Sequence, residues 1–178
     1  MMKQGGGLYR ELIERQMRGG EREGRVHIGQ RLRQGLLREA EGAVIAVDFL
    51  GIGVIDYSCA DEVVAKLVSR LVSGEYGDKY LRFIGLNENQ KENIGVALER
   101  KGLATIVELR NGKKATLGTL TDYLVETLSF ISGNGKVTAA ELSRVLKLPP
   151  NTSGTRLLNL YKKRLVRRTS EKRNEGKV

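Results

Sequence analysis

The spacing of hydrophobic residues changes near residue 119 of this chain. Before that point, short apolar runs with strand character alternate with stretches in which apolar residues recur at three- and four-residue intervals. After it, only the second pattern is present, up to residue 168. Strand–helix alternation is typical of an α/β domain, and the helical period alone is typical of an all-α domain. The sequence therefore predicts an α/β domain at 25–118 and a small all-α domain at 119–168.

Short apolar runs predict the strands of a central sheet with flanking helices. The run AVIAVDF is nearly continuous, which is typical of a central strand buried on both faces. Asn111-Gly112 is a turn dipeptide and predicts a hairpin between the strands on either side of it. In chain order, the predicted strands lie at 26–28, 43–49, 80–86, 103–109 and 115–117.

Helical spacing also predicts three helices in the α/β domain. They lie at 30–40, at 58–74, and from Asn87 or Asn89 to Lys101. A further short helix is predicted at 9–18, within a polar, Gly-rich N-terminal arm at 1–24. The sequence leaves open whether this arm is mobile or packed.

Three helices are predicted in the all-α domain. An apolar stripe at 124–131 forms the first, which Gly133-Asn134-Gly135 ends. Thr138 and Glu141 have the spacing of a capping box, and the helix that follows is expected to bury Leu142, Val145 and Leu146. Pro149-Pro150 ends this second helix, and the third is expected to begin at about Thr152 and to reach Lys163 or Leu165.

The charge of the chain is concentrated at its C-terminal end. The formal net charge is +10, and residues 151–178 contribute +7 of it, with nine Lys/Arg against Glu171 and Glu175. Residues 43–117 hold ten basic and ten acidic side chains and are neutral. A basic end attached to a neutral body indicates a polyanionic partner, and nucleic acid is the first such partner to consider.

Single cysteine and histidine residues limit the chemistry of the chain. Cys59 and His27 are the only residues of their types, which is too few for a disulfide framework, a zinc site or a histidine-dependent triad. No apolar run has the length of a membrane span or of a signal-peptide core. We therefore expect a cytoplasmic protein that is not an enzyme, with no metal, no cofactor and no membrane partner.

The segment VTAAELSRVLKLPPNTSGTRLLNLYKKRLVRR resembles the winged helix-turn-helix domains of transcription regulators. The resemblance implies that 137–148 is the second helix, that 151–163 is the recognition helix, and that Leu165-Val166-Arg167-Arg168 begins the wing. Helical spacing buries Leu157, Leu158, Leu160, Tyr161 and Leu165, and leaves hydroxyl, amide and cationic groups exposed, which are suited to phosphates and base edges. The predicted DNA-binding residues are Ser153, Thr155, Arg156, Asn159, Lys162, Lys163, Arg167 and Arg168. Residues 169–178, with Lys172, Arg173 and Lys177, are expected to be a basic tail.

The segment AVIAVDFLGIGVIDYSCADEVVAKLV resembles STAS-type domains, which have the anti-sigma-factor-antagonist fold, and especially their uncharacterised STAS-like relatives. Asp48-Phe49 matches the end of the central strand, and Asp56-Tyr57-Ser58 matches the loop before the next helix. The resemblance implies a protein partner for this domain and makes Ser58 a candidate phosphoacceptor. The residues alone also allow a structural interpretation, in which Ser58 is the N-cap of a helix with Asp61 in its acidic first turn.

Together these patterns predict an α/β STAS-like domain followed by a small all-α, winged-helix-type domain. The predicted function is a DNA-binding transcriptional or regulatory protein whose STAS-like domain binds a protein partner or forms a homodimer. The alternative is a protein–protein interaction module of a partner-switching or defence-type regulatory system, in which the three helices contact protein and the basic tail is solvated.

Overall fold

The computed structural model describes residues 22–169, with side chains from Gly29 onward. The N-terminal arm up to residue 21 and the tail from residue 170 lie outside the described residues, as do the predicted helix at 9–18 and Lys172, Arg173 and Lys177. The described chain is a small α/β protein with a four-stranded mixed sheet and six helices. The strands are β1 (Val44–Asp48), β2 (Tyr80–Ile84), β3 (Ala104–Glu108) and β4 (Lys114–Gly118). The helices are α1 (Arg22–Arg38), α2 (57–72), α3 (Glu88–Glu99), α4 (Asp122–Asn134), α5 (Ala139–Leu146) and α6 (Pro150–Lys162).

The strands lie in the sheet in their order along the chain. β1, β2 and β3 are parallel, and β4 is antiparallel to β3. The hairpin predicted at Asn111-Gly112 is confirmed, since the amide of Lys113 donates to the Asn111 side chain at 3.0 Å and Gly112 has a positive φ of 76°. The four strands predicted from 43–49 onward are each confirmed, with ends that differ by one or two residues.

Two predictions about the N-terminal part of the sheet are wrong. No strand forms at 26–28, because these residues lie inside α1. A strand of three residues needs neighbours to pair with, whereas the helix extends a segment that already buries Leu32 and Leu36. The run at 43–49 forms an edge strand of the sheet, not a central one. Its apolar side chains are explained by the core below it, where Ile45 and Val47 are buried.

Helices cover both faces of the sheet. Helices α1, α2 and α3 form the larger core with the inward side chains of β1, β2 and β3, among them Val47, Phe83 and Val107. Because strand side chains alternate, Ala104 and Ile106 of β3 point to the opposite face. There they form a second cluster with α4 and α6 that includes Leu124, Leu128, Leu160 and Leu165. Helices α4 and α6 are therefore packed on the sheet through a shared hydrophobic cluster.

A buried glutamine fixes the loop between β1 and α2. Gln90 lies in the first turn of α3, in a capping box with Asn87, and its side chain is fully buried. Its Nε2 atom donates to the carbonyl oxygens of Ile52 at 2.8 Å and Gly53 at 2.9 Å. Of the two predicted caps, Asn87 is therefore the N-cap of α3. The bonds from Gln90 attach the loop to the first turn of this helix.

Candidate nucleic-acid interface

Helices α5 and α6 follow one another along the chain and are joined by the three residues 147–149. The capping box predicted at the start of α5 is confirmed, with the Thr138 amide donating to Glu141 Oε2 at 2.7 Å and the Glu141 amide donating to Thr138 Oγ1 at 3.2 Å. The bond that the Thr138 amide donates to the Glu141 carboxylate, with a second that the Thr138 hydroxyl donates to the same oxygen at 2.8 Å, holds the pKa of Glu141 below its usual value. Lys147 ends α5 in the left-handed conformation, with a φ of 52°. Helix α6 begins at Pro150, earlier than Thr152, because proline is well suited to the first helical position.

The inner face of α6 packs against α4 and the sheet. Leu160 is fully buried in the cluster with Leu124 and Leu128. Ser153 is fully buried as well, and its Oγ atom has no hydrogen-bond partner. The prediction that Ser153 is exposed for DNA binding is therefore wrong. Ser153 lies seven residues, close to two helical turns, before Leu160, so both residues face inward once α6 packs on α4.

Arg156 is engaged within the protein. One guanidinium nitrogen lies 2.8 Å from Glu126 Oε2 on α4, and the guanidinium carbon lies 5.3 Å from the centre of the Tyr123 ring. The Arg156 side chain is only 15% exposed. This cation contacts α4, so the prediction that Arg156 is exposed on the surface of α6 is wrong.

The outer face of α6 carries polar groups and one apolar side chain. Asn151, Thr152, Thr155 and Lys162 are exposed, and Asn159 is half-buried beside them. Leu158, expected to be buried, is 45% exposed. Val145 on α5, also expected in the core, is half-exposed. Of the eight predicted contact residues, Thr155, Asn159 and Lys162 share this outer face, and Lys163 lies at the end of the helix, half-buried.

The segment after α6 is anchored on the sheet. Arg164 has a positive φ of 59° and donates to Asp78 Oδ1 at 2.5 Å. Leu165 is buried in the second cluster, and Val166 packs against it. Residues 163–169 contain no strand, so the expected start of a wing is not found in the described chain. Arg167 and Arg168 are exposed, and Arg167 approaches the carbonyl of Gly42 at 3.4 Å.

Asp78 is the centre of the junction between α6 and the sheet. Its Oδ1 atom accepts from the Tyr80 hydroxyl at 2.8 Å and from the Tyr161 hydroxyl at 3.4 Å, in addition to Arg164. Burial, with a smaller contribution from Asp78, raises the pKa of Tyr80 to about 12. The Asp78 amide donates to Glu41, and this bond, with Lys79, holds the pKa of the Glu41 carboxyl below its usual value. The junction gives the C-terminal end of α6 a fixed place on the sheet.

The surface around α5 and α6 is strongly basic. Residues 136–169 contain nine Lys/Arg and one acidic residue, Glu141. Two of the cations, Arg156 and Arg164, form ion pairs with carboxylates outside this stretch. Lys162, Lys163, Arg167 and Arg168 are absent from the ion pairs of the described chain. These four lie on or just after the last turn of α6 and form what we call the cationic end of α6.

Ser58 lies in the first turn of α2 with its side chain exposed. It is not the N-cap of that helix, because the Asp56 side chain accepts from the Cys59 amide at 2.7 Å. Lys101 lies 3.0 Å from Asp61, and the Arg100 guanidinium lies 4.6 Å from the centre of the Tyr57 ring. The structural interpretation of Ser58 as a cap is therefore wrong, and its role as a phosphoacceptor stays a prediction.

Among residues 22–169, no cluster of His, Cys, Asp or Glu has the arrangement of a metal site. Cys59 is buried. No helix of the described chain is long and apolar enough to cross a membrane.

Comparisons with protein-family models, curated proteins and solved structures gave no match. The STAS-like and winged-helix resemblances therefore remain resemblances of the sequence alone.

Proposed function

We propose that this protein binds duplex DNA through α6, with the α/β body as a scaffold that holds the helix in place and takes a protein partner. The observation that carries the proposal is the outer face of α6 together with its cationic end. That face has hydroxyl and amide groups and no carboxylate, and Lys162, Lys163, Arg167 and Arg168 follow it. Such groups contact base edges and phosphates in the major groove.

The packing of α6 supports this proposal. In helix-turn-helix proteins the second helix enters the major groove and the first crosses the backbone. Here α6 rests on α4 by its inner face and is held at its far end by the Asp78–Arg164 pair. The outer face is open to a ligand, and these contacts position the helix before binding, so little ordering cost is expected on association.

Fluorescence anisotropy with a labelled duplex across a salt series tests the proposal. Four phosphate contacts from the cationic end predict that log K falls with log salt with a slope of about −4. Lys162→Ala combined with Lys163→Ala should reduce the steepness of this slope by about 2. The matched control, Lys113→Ala with Lys114→Ala, removes the same charge from the exposed β3–β4 hairpin and should leave the slope unchanged.

A second control separates recognition from packing. Ser153→Ala alters a buried side chain of the same helix and should bind duplex DNA with the affinity of the parent protein. Salt-independent binding, or equal losses in the α6 pair and in the hairpin pair, would contradict a DNA interface at α6.

The exposed loop after β1 favours protein interaction as a second candidate function. Leu50 is 51% exposed and Val54 is 80% exposed, although Gln90 fixes the loop between them. Contiguous exposed apolar surface marks protein-binding sites, and these two side chains would supply the apolar part of such a surface. In this interpretation the chain is a protein–protein interaction module of a regulatory system. Leu50→Ser with Val54→Ser would then abolish partner binding, and the α6 variants would bind the partner normally.

A further inference from the structure

We propose, resting on the DNA-binding function proposed above, that the outer face of α6 reads A·T base pairs in the major groove. Asn159 would recognise adenine, and Thr155 with Leu158 would contact the methyl group of thymine. The inference comes from which side chains the packing leaves on the outer face and which it removes.

The groups on the outer face match A·T pairs. An asparagine amide can donate to N7 or accept from N6 of adenine, and it forms a bidentate pair when it does both. Leu158 is 45% exposed, whereas Leu160 of the same helix is fully buried, and an apolar contact with the thymine methyl would cover Leu158. The Thr155 hydroxyl donates to the Asn151 carbonyl at 2.8 Å. Its proton is therefore used inside the helix, which leaves the γ-methyl for an external contact.

No cation that could recognise guanine is available on the outer face of α6 near Thr155 and Asn159. Arginine and lysine are the usual partners of guanine O6 and N7. Arg156 is the one arginine of α6, and the structure pairs it with Glu126 against the Tyr123 ring. Lys162 is the last residue of α6, three residues beyond Asn159, and it adjoins the other cations of the cationic end, which suits it to backbone phosphates. The lysines at this end are thus placed for phosphates.

The spacing sets the size of the site. Thr155 and Asn159 are four residues apart, which is about 6 Å along the helix axis. Successive base pairs are about 3.4 Å apart, so these two side chains reach neighbouring or next-neighbouring pairs. One copy of α6 should therefore select about two to four adjacent A·T pairs.

Selection of bound duplexes from a random pool tests the inference, followed by anisotropy on the selected sequence. A run of A·T pairs is expected in the selected duplexes. Replacing the selected thymines by deoxyuridine, which lacks only the methyl group, should weaken binding about fourfold for each contacted methyl. Leu158→Ala should weaken binding to the thymine duplex similarly and should be insensitive to deoxyuridine, because the contact is already lost. Asn159→Ala should reduce the preference for A·T over G·C duplexes by about tenfold.

The outcomes distinguish this inference from the function on which it rests. Salt-dependent binding with equal affinity for A·T and G·C duplexes would overturn the A·T reading and leave the DNA-binding proposal intact. Leu158→Ala protein that still responds fully to deoxyuridine would also overturn the proposed methyl contact. Failure of the parent protein to bind any duplex at low salt would overturn both. Leu158 is exposed, so its alanine variant should fold normally, and a thermal melt checks this.

Discussion

The ion pair between Asp78 and Arg164 should be the main polar contact that holds α6 on the sheet. Asp78→Ala removes the acceptor of Arg164 at 2.5 Å and of the Tyr80 hydroxyl at 2.8 Å. Exposed ion pairs contribute about 0–1 kcal/mol, and breaking a fully buried pair costs about 3–5 kcal/mol. The Arg164 side chain is 14% exposed and that of Asp78 is 40% exposed, so the pair lies between these limits. We expect a loss of about 2 kcal/mol in the free energy of unfolding.

Urea denaturation followed by far-ultraviolet circular dichroism measures this loss. A fall of about 2 kcal/mol in a protein of this size corresponds to a decrease in Tm of about 4–8 °C. Asp61→Ala is the matched control, because it removes an ion pair with Lys101 in which the two side chains are 30% and 36% exposed. That control should lose less than about 1 kcal/mol. If Asp78→Ala were no more destabilising than Asp61→Ala, the junction would be a surface contact, and α6 would be held by its apolar face alone.

Two further predictions test the interior of the α/β body and its alkaline titration. Gln90→Ala should cost about 2–3 kcal/mol, because the buried Gln90 side chain is lost and the carbonyls of Ile52, which is buried, and Gly53, which is exposed, lose their donor. Chemical denaturation measures this loss, and a change below about 0.5 kcal/mol would contradict the role of this side chain. The pKa of Tyr80 is about 12 in the folded protein and close to 10 in the unfolded chain. Between pH ~10 and pH ~12 the folded protein therefore keeps the Tyr80 proton while the unfolded chain loses it. The free energy of unfolding should be unaffected by this group below pH ~10 and should fall by about 2 kcal/mol as the pH rises to ~12. Tyr80→Phe should lack this part of the fall in an alkaline denaturation series, and an unchanged fall would show that Tyr80 is not its source.

Local patterns in the sequence predicted most of the secondary structure. The capping box at Thr138 and Glu141 and the turn at Asn111-Gly112 each depend on residues within a few positions of one another, and both are confirmed. The strand at 26–28 was wrong because its three residues carry no pattern that distinguishes a short strand from the start of a helix. The position of the run at 43–49 at an edge of the sheet depends on the order of the strands, which local spacing does not encode.

In the candidate interface, too, local patterns were predicted from the sequence and the packing of single side chains was not. Helical spacing identified α6 and its basic end, but it could not tell which polar residues pack inward. Ser153 is buried because α6 packs on α4 by that face. The Arg156 side chain is turned inward because it contacts Glu126 and Tyr123 of α4. Both residues lie thirty or more positions earlier in the chain. Such long-range partners have no signature in the spacing of either helix.

The sequence by itself determined most of the elements of this protein, the neutral α/β body and the basic charge of its C-terminal end, because periodicity, capping and charge are properties of neighbouring residues. The tertiary structure decided which side chains that basic helix presents. Packing α6 against α4 and the sheet buried Ser153, paired Arg156 and Arg164 with carboxylates from other elements, and left Leu158 exposed. Burial and ion pairing depend on which surfaces pack together, and residues far apart in the chain determine which surfaces those are.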